Sequence, residues 1–181
     1  MKLFVFATTR AVREFYEKKL TQNALLDKAI SVAEFFDIII YSHRLKASEY
    51  ERLMLMKRAC ERTKNTHKLF IPQEFFAFLK NNEYLFSFFK ELALANKSVE
   101  DLRANDYYAQ YDEHLQILDE LLKNYLLALK EANLCDNIAL CKDYELNVEF
   151  LSAFDELVFD LQGFLNAFEM GVLQGCCEFL R

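Results

Sequence analysis

The sequence predicts an α/β protein that is mostly helical, with a small parallel sheet and a helical block set into it. Three observations carry that reading. Short runs rich in strand-formers each stand immediately before a helix start, and a chain that alternates strand and helix builds parallel βαβ units. Turn-formers are scarce, with Gly used three times and Pro once in 181 residues, which disfavours a many-stranded sandwich or barrel. Between Asp106 and about Ala132, Tyr111, Leu115, Leu118, Leu122, Tyr125 and Leu126 recur at spacings of three, four and seven, the period of a helix with one buried face.

The first run, Leu3 to Phe6 within KLFVFA, is a strand. Thr8 and Thr9 are N-cap residues for the helix that follows, where Ala11, Val12, Phe15 and Tyr16 share a face. Lys28 to Ile30 is a second strand running into Ser31-Val32-Ala33-Glu34, a capping box with Glu three residues after Ser. Ser48 to Glu51 repeats that signature and opens a helix to about Arg62. Ile71-Pro72 marks the next helix start, with helices over 73–80 and 83–94, and Ser98 to Asp101 caps a short one. The longest helix is expected from Asp106 to about Ala132. Residues 141–155 read as a connector, Leu157 to Asp160 as a third strand, and Leu161 to Leu180 as a last helix.

Eighteen Phe and nine Tyr with no Trp imply a core filled by aromatic rings. No apolar run approaches the roughly 20 residues needed to span a bilayer. The N-terminal run is also too short for a secretion signal, so a cytoplasmic, membrane-free setting is expected. The five cysteines (Cys60, Cys135, Cys141, Cys176 and Cys177) lack metal-ligand spacing and read as reduced thiols. Net charge is −6, and after residue 140 only Lys142 and Arg181 oppose eight carboxylates. Such a chain is a poor independent DNA binder, because phosphate neutralisation supplies most non-specific affinity.

Chemistry is sparse. A strand feeding a helix at the start of a chain is where a P-loop would sit, and that loop needs GxxxxGK followed by Ser or Thr. Residues 6–12 read FATTRAV instead, with no Gly and with Arg10 as the only cation. Thr8, Thr9 and Arg10 are left as an anion site or as plain helix capping. Asp160, ending the late strand, stands where a Mg²⁺-binding carboxylate belongs in nucleotide enzymes, or else caps the next helix. Lys57, Arg58, Arg62, Lys64 and Lys68 form the densest basic cluster, either phosphate contacts or a solvated helix end. Tyr107, Tyr108, Tyr111 and His114 are a base-stacking set or a packed helix face. His43, His67 and His114 form no ligand pair, and no nucleophile is matched to a base. No catalytic residue, metal or cofactor is therefore assigned.

The order of these pieces resembles the N-terminal region of AddB-type subunits of bacterial helicase–nucleases, RecB-family recombination proteins, above all their divergent epsilonproteobacterial form. The matching text is residues 2–16 (KLFVFATTRAVREFY), 25–36 (LLDKAISVAEFF), 71–93, 111–125 and 154–169 (FDELVFDLQGFLNAFE). The resemblance implies a superfamily 1 helicase-like, P-loop-like core over residues 1–48 and 141–181, with a helical insertion over 49–140. A degenerate first motif would fall at Ala7 to Val12 and a degenerate second at Phe159 to Phe164, with Asp160 at the acid. It further implies a non-catalytic scaffold in double-strand-break repair, a helicase partner subunit, and DNA contact within the full-length protein. The nuclease motif of such subunits, of PD-(D/E)xK type, is absent here, so the chain is expected to be an N-terminal piece. The competing expectation is a self-standing helical protein-interaction module.

Overall fold

The computed structural model describes residues 1–19, 26–104 and 106–179. The chain is an α/β protein, mostly helical, with a small parallel sheet. In order, the elements are β1 (Lys2–Phe6), α1 (Thr9–Lys19), β2 (Lys28–Ser31), α2 (Val32–Ile39), β3 (Ile40–Tyr41), β4 (Leu45–Lys46) and α3 (Glu49–Arg62). A 3-10 turn at Thr66–Leu69 leads to α4 (Phe75–Lys80), α5 (Glu83–Leu94) and α6 (Val99–Arg103). A second 3-10 segment, Asp106–Tyr111, precedes α7 (Asp112–Glu131), then β5 (Leu134–Cys135) and α8 (Asn137–Leu140). The chain closes with β6 (Glu145–Leu146), α9 (Val148–Ser152), β7 (Glu156–Asp160) and α10 (Ala167–Phe179). It divides into two units, Met1–Tyr41 with Tyr144–Arg181, and Ser42–Asp143.

The first unit is built on the sheet β2-β1-β7, parallel throughout, with Val5 opposite both Ile30 and Phe159. The three predicted runs form it. Side chains alternate across a strand, so β1 has two unlike faces. Phe4 and Phe6 face α1, with the Phe15 ring 4.8 and 5.3 Å from theirs. Leu3 and Val5 face the other way, into a core shared with Ile30 of β2, Phe35 and Ile39 of α2, Leu151 of α9, Phe154 just after it, and Val172 and Cys176 of α10. Phe35, fully buried, meets Phe159 edge-on at 5.3 Å, and burying such a ring contributes about 2–3 kcal/mol. The Ser31–Glu34 capping box forms in full and fixes where α2 begins. The Tyr16 hydroxyl accepts from the Ala29 N–H at 2.7 Å and lies 3.3 Å from the Ala29 carbonyl. Both backbone groups on the edge strand β2 are thereby occupied, which blunts that edge.

The second unit is helical. Its core joins α3, α5 and α7 through Met56, Ala59, Leu85, Phe89, Leu121, Tyr125 and Leu129. Ser48–Glu51 and Ser98–Asp101 are complete capping boxes. At its centre the buried carboxylate of Asp136 accepts from the Tyr125 hydroxyl (2.8 Å), Arg52 Nε (3.2 Å) and the Ile138 and Ala139 N–H groups (3.1 and 2.9 Å). One side chain thus caps α8 and ties α3 to α7, with every lone-pair direction used.

Three expected helix boundaries differ. The helix expected from Asp106 starts as 3-10 and becomes α only at Asp112. The helix expected at Gln73 starts at Phe75, after an extended Glu74. The helix expected from Leu161 starts at Ala167, because Asn166 and Glu169 form a capping pair there, at 2.8 and 2.9 Å. Its expected last residue, Leu180, lies outside the described residues.

Candidate functional site

In open parallel sheets, ligands bind beyond the carboxyl ends of neighbouring strands whose following helices leave on opposite faces. β1 and β7 meet that condition. Helix α1 follows β1 on the Phe4/Phe6 face, and α10 follows β7 on the Leu3/Val5 face. Phe6 is opposite Asp160 at the carboxyl end of the pair. The four residues singled out in the sequence, Thr8, Thr9, Arg10 and Asp160, therefore lie at the same carboxyl end of the β1–β7 pair in the first unit.

The chemistry there is thin. Thr8 Oγ1 accepts from the Ala11 N–H at 3.2 Å and the Thr8 carbonyl accepts from the Val12 N–H at 3.3 Å, so this residue is spent on capping α1. Thr9 is exposed as the first helical residue. Arg10 lies along its own helix, with Nε 2.9 Å from Glu14 Oε1, an exposed pair of the i,i+4 kind. Asp160 is exposed and has no ion pair or hydrogen-bond partner among the described residues. It does not cap α10, since Asn166 fills that role. The acids at the other end of β7 are used otherwise: Asp155 holds the N-terminal ammonium, and Glu156 lies 2.6 Å from Lys2 Nζ. Beyond Asp160, Gly163 takes φ +147°, a conformation that suits only glycine. Phe164 projects fully into solvent. No group of three or more His, Cys, Asp or Glu able to hold a metal occurs among the described residues.

The basic cluster of the second unit is not one patch. Lys57 is buried at 8% exposure, with Nζ 3.0 Å from Glu61 and 5.9 Å from the centroid of the Phe78 ring. Arg62 pairs with Glu131 at 3.1 Å, and Lys68 pairs with Glu113. Those two glutamates stand at opposite ends of α7, about 27 Å apart at 1.5 Å per residue. Arg58 and Lys64 are exposed and have no acidic partner among the described residues. Conversely, Lys68–Glu113 brings two separately read features together. The 3-10 turn carrying His67 and Lys68 lies against the start of α7, beside the segment that carries Tyr107, Tyr108 and Tyr111. Tyr111 stacks on His114, with ring centroids 6.3 Å apart.

Sequence reasoning missed the Arg52–Asp136–Tyr125 network and the exposure of Phe70 and Phe164. Asp136 preceding a short helical run was a legible capping signal, but its partners come from distant segments. Four of the five cysteines are buried or half-buried and Cys177 is exposed. Burial pushes the Cys60 thiol up to about 12 and those of Cys141 and Cys176 to about 11. No family model, curated protein or solved structure matches this chain.

Proposed function

We propose that this chain is a non-catalytic, helicase-like scaffold of a DNA helicase–nuclease subunit acting in double-strand-break repair. The observation that supports the reading most directly is the pairing of β1 with β7. Of the two segments that resemble degenerate nucleotide motifs, Ala7 to Val12 follows β1 and Phe159 to Phe164 begins at the end of its parallel neighbour β7, so the two lie side by side. A nucleotide enzyme would require backbone N–H groups free to cradle phosphates, a Lys for their charge, and a hydroxyl and carboxylate for Mg²⁺. Asp160 and Thr9 are exposed and without a side-chain partner among the described residues. Thr8, however, caps α1, Arg10 is turned along the helix to Glu14, and residues 7–12 hold no Gly or Lys. An acid at the end of β7 beside a β1–α1 connection without phosphate chemistry is what this reading expects of a subunit whose partner does the ATP-driven work.

The test is purification of the tagged protein from its own cells, with identification of what accompanies it. The expected companion carries an intact GxxxxGK motif followed by Ser or Thr and the remaining helicase motifs, in near-stoichiometric amount. Recovery of the protein alone, or with companions that have no helicase motif, would overturn the proposal in favour of a self-standing interaction module.

A further inference from the structure

The second unit carries a set of exposed aromatic rings. Across residues 66–114 the large hydrophobic side chains left exposed are Phe70, Phe76, Tyr84, Tyr107, Tyr108 and Tyr111, and no aliphatic residue is among them. Phe70 is 91% exposed and Tyr107 88%.

Phe70 also has a backbone the fold does not favour. It sits at φ 55°, ψ 25°, in the left-handed region, closing the 3-10 turn Thr66–Leu69 with its N–H on the His67 carbonyl. The other described non-glycine residues at positive φ are Asn65, Asn96 and Asn133, and asparagine tolerates that region well. A bulky aromatic residue there is strained, and strain of this kind is retained where a side chain serves function. Phe70 contributes neither burial nor easy backbone geometry, so its ring is held out for something else.

Cations share its stretch of chain, and the Lys68–Glu113 pair brings that stretch to the start of α7, where further rings stand. Lys68 and His67 share its turn, and Lys64 precedes that turn, exposed and without an acidic partner among the described residues. Across from them, Tyr111 stacks on His114, and Tyr107 lies on the same 3-10 segment. The two carboxylates that open α7 are already engaged, Glu113 by Lys68 and Asp112 by Arg103 at 2.7 Å. Protein-binding faces are also rich in Tyr and Phe, but Lys is depleted from them. Rings alone, spaced among Lys and His, are instead the equipment of surfaces that stack bases and track phosphates.

We propose that this face, centred on Phe70 with Tyr107, Tyr111 and Lys64, is a stacking platform for single-stranded nucleic acid. It stands on the chemistry of the second unit and not on the helicase-like reading of the first, whose own test is the companion subunit.

Fluorescence anisotropy with a labelled oligothymidylate of about 12 nucleotides, against a duplex of equal length, tests it. At about 50 mM salt the single strand should bind in the roughly 10–100 μM range and the duplex more weakly. Phe70→Gly removes the ring and relieves the backbone, so Kd should rise about fivefold or more while Tm stays level or increases. Phe70→Tyr should retain binding, Tyr107→Ala should weaken it, and Lys64→Ala should flatten its salt dependence. Duplex binding as tight as single-strand binding, or a Kd unmoved by Phe70→Gly, overturns the proposal and leaves the rings as a protein-binding surface.

Discussion

Replacing Asp136 by Ala removes three things at once from the centre of the second unit. Its Oδ1 caps α8 through the Ile138 and Ala139 N–H groups, and loss of such a cap costs about 1 kcal/mol. Its Oδ2 is the acceptor for the fully buried Tyr125 hydroxyl, and stranding that donor costs about 1–3 kcal/mol. Burial and the Asp136 charge hold the Tyr125 phenol above its ordinary range, so it is a neutral donor that needs an acceptor. The third loss is the partner of Arg52, whose side chain is 30% exposed against 1% for Asp136. Water compensates Arg52 in part, so the whole change should come to about 3–4 kcal/mol, within the range for breaking a buried charged pair. Tyr125→Phe is the milder change, because Asp136 keeps its other three donors; it should cost about 1 kcal/mol. Thermal melts by circular dichroism would read the difference, at roughly 4–8 °C per kcal/mol for a unit of this size. A cost below about 1 kcal/mol for Asp136→Ala, or equal costs for both variants, would refute the description of Asp136 as the shared acceptor.

Hydrogen bonds from the Ser31 backbone and hydroxyl hold the Glu34 carboxyl below its ordinary value. The stability it contributes is therefore complete above the unfolded value of about 4.3 and lost as pH falls through the lower folded one. Ser31→Ala should flatten that acid limb in pH-dependent urea titrations, and an unchanged limb would contradict it. Thiol labelling at pH 8 should modify Cys177 in the folded protein, with Cys60 and Cys176 reacting only on unfolding; mass spectrometry of the labelled peptides decides. Tyr16→Phe deletes the hydroxyl on the Ala29 backbone and should destabilise by about 1 kcal/mol, seen in the same melts as a lower Tm.

The three strands of the sheet were legible because each pairs a short apolar run with a cap or an acid at its carboxyl end. The neighbouring carboxyl ends of β1 and β7 were only half legible. Sequence marks the ends of strands, but not which strands become neighbours, nor that α1 and α10 leave on opposite faces. Fates of the cations were hidden for a similar reason, since Arg62 and Lys68 are claimed by Glu131 and Glu113, far along the chain. Lys57 could not be read as buried, because a long side chain lays its stem on apolar surface and keeps only its tip paired. Gly163 and Asn166 together end the run after β7 and delay α10, a combination masked by the apolar residues between them. Exposure of Phe70 was the least legible feature, as its composition argued for core.

On the proposed function, the carboxyl ends of β1 and β7 keep the position of a nucleotide site without its chemistry. Calorimetric titration of the folded chain with Mg-ATP tests this most directly. The account predicts no saturable isotherm in the micromolar range and no ATP hydrolysis above background, since glycines and a Lys are missing where phosphates would lie. A saturable micromolar isotherm that weakens with Asp160→Ala would contradict it.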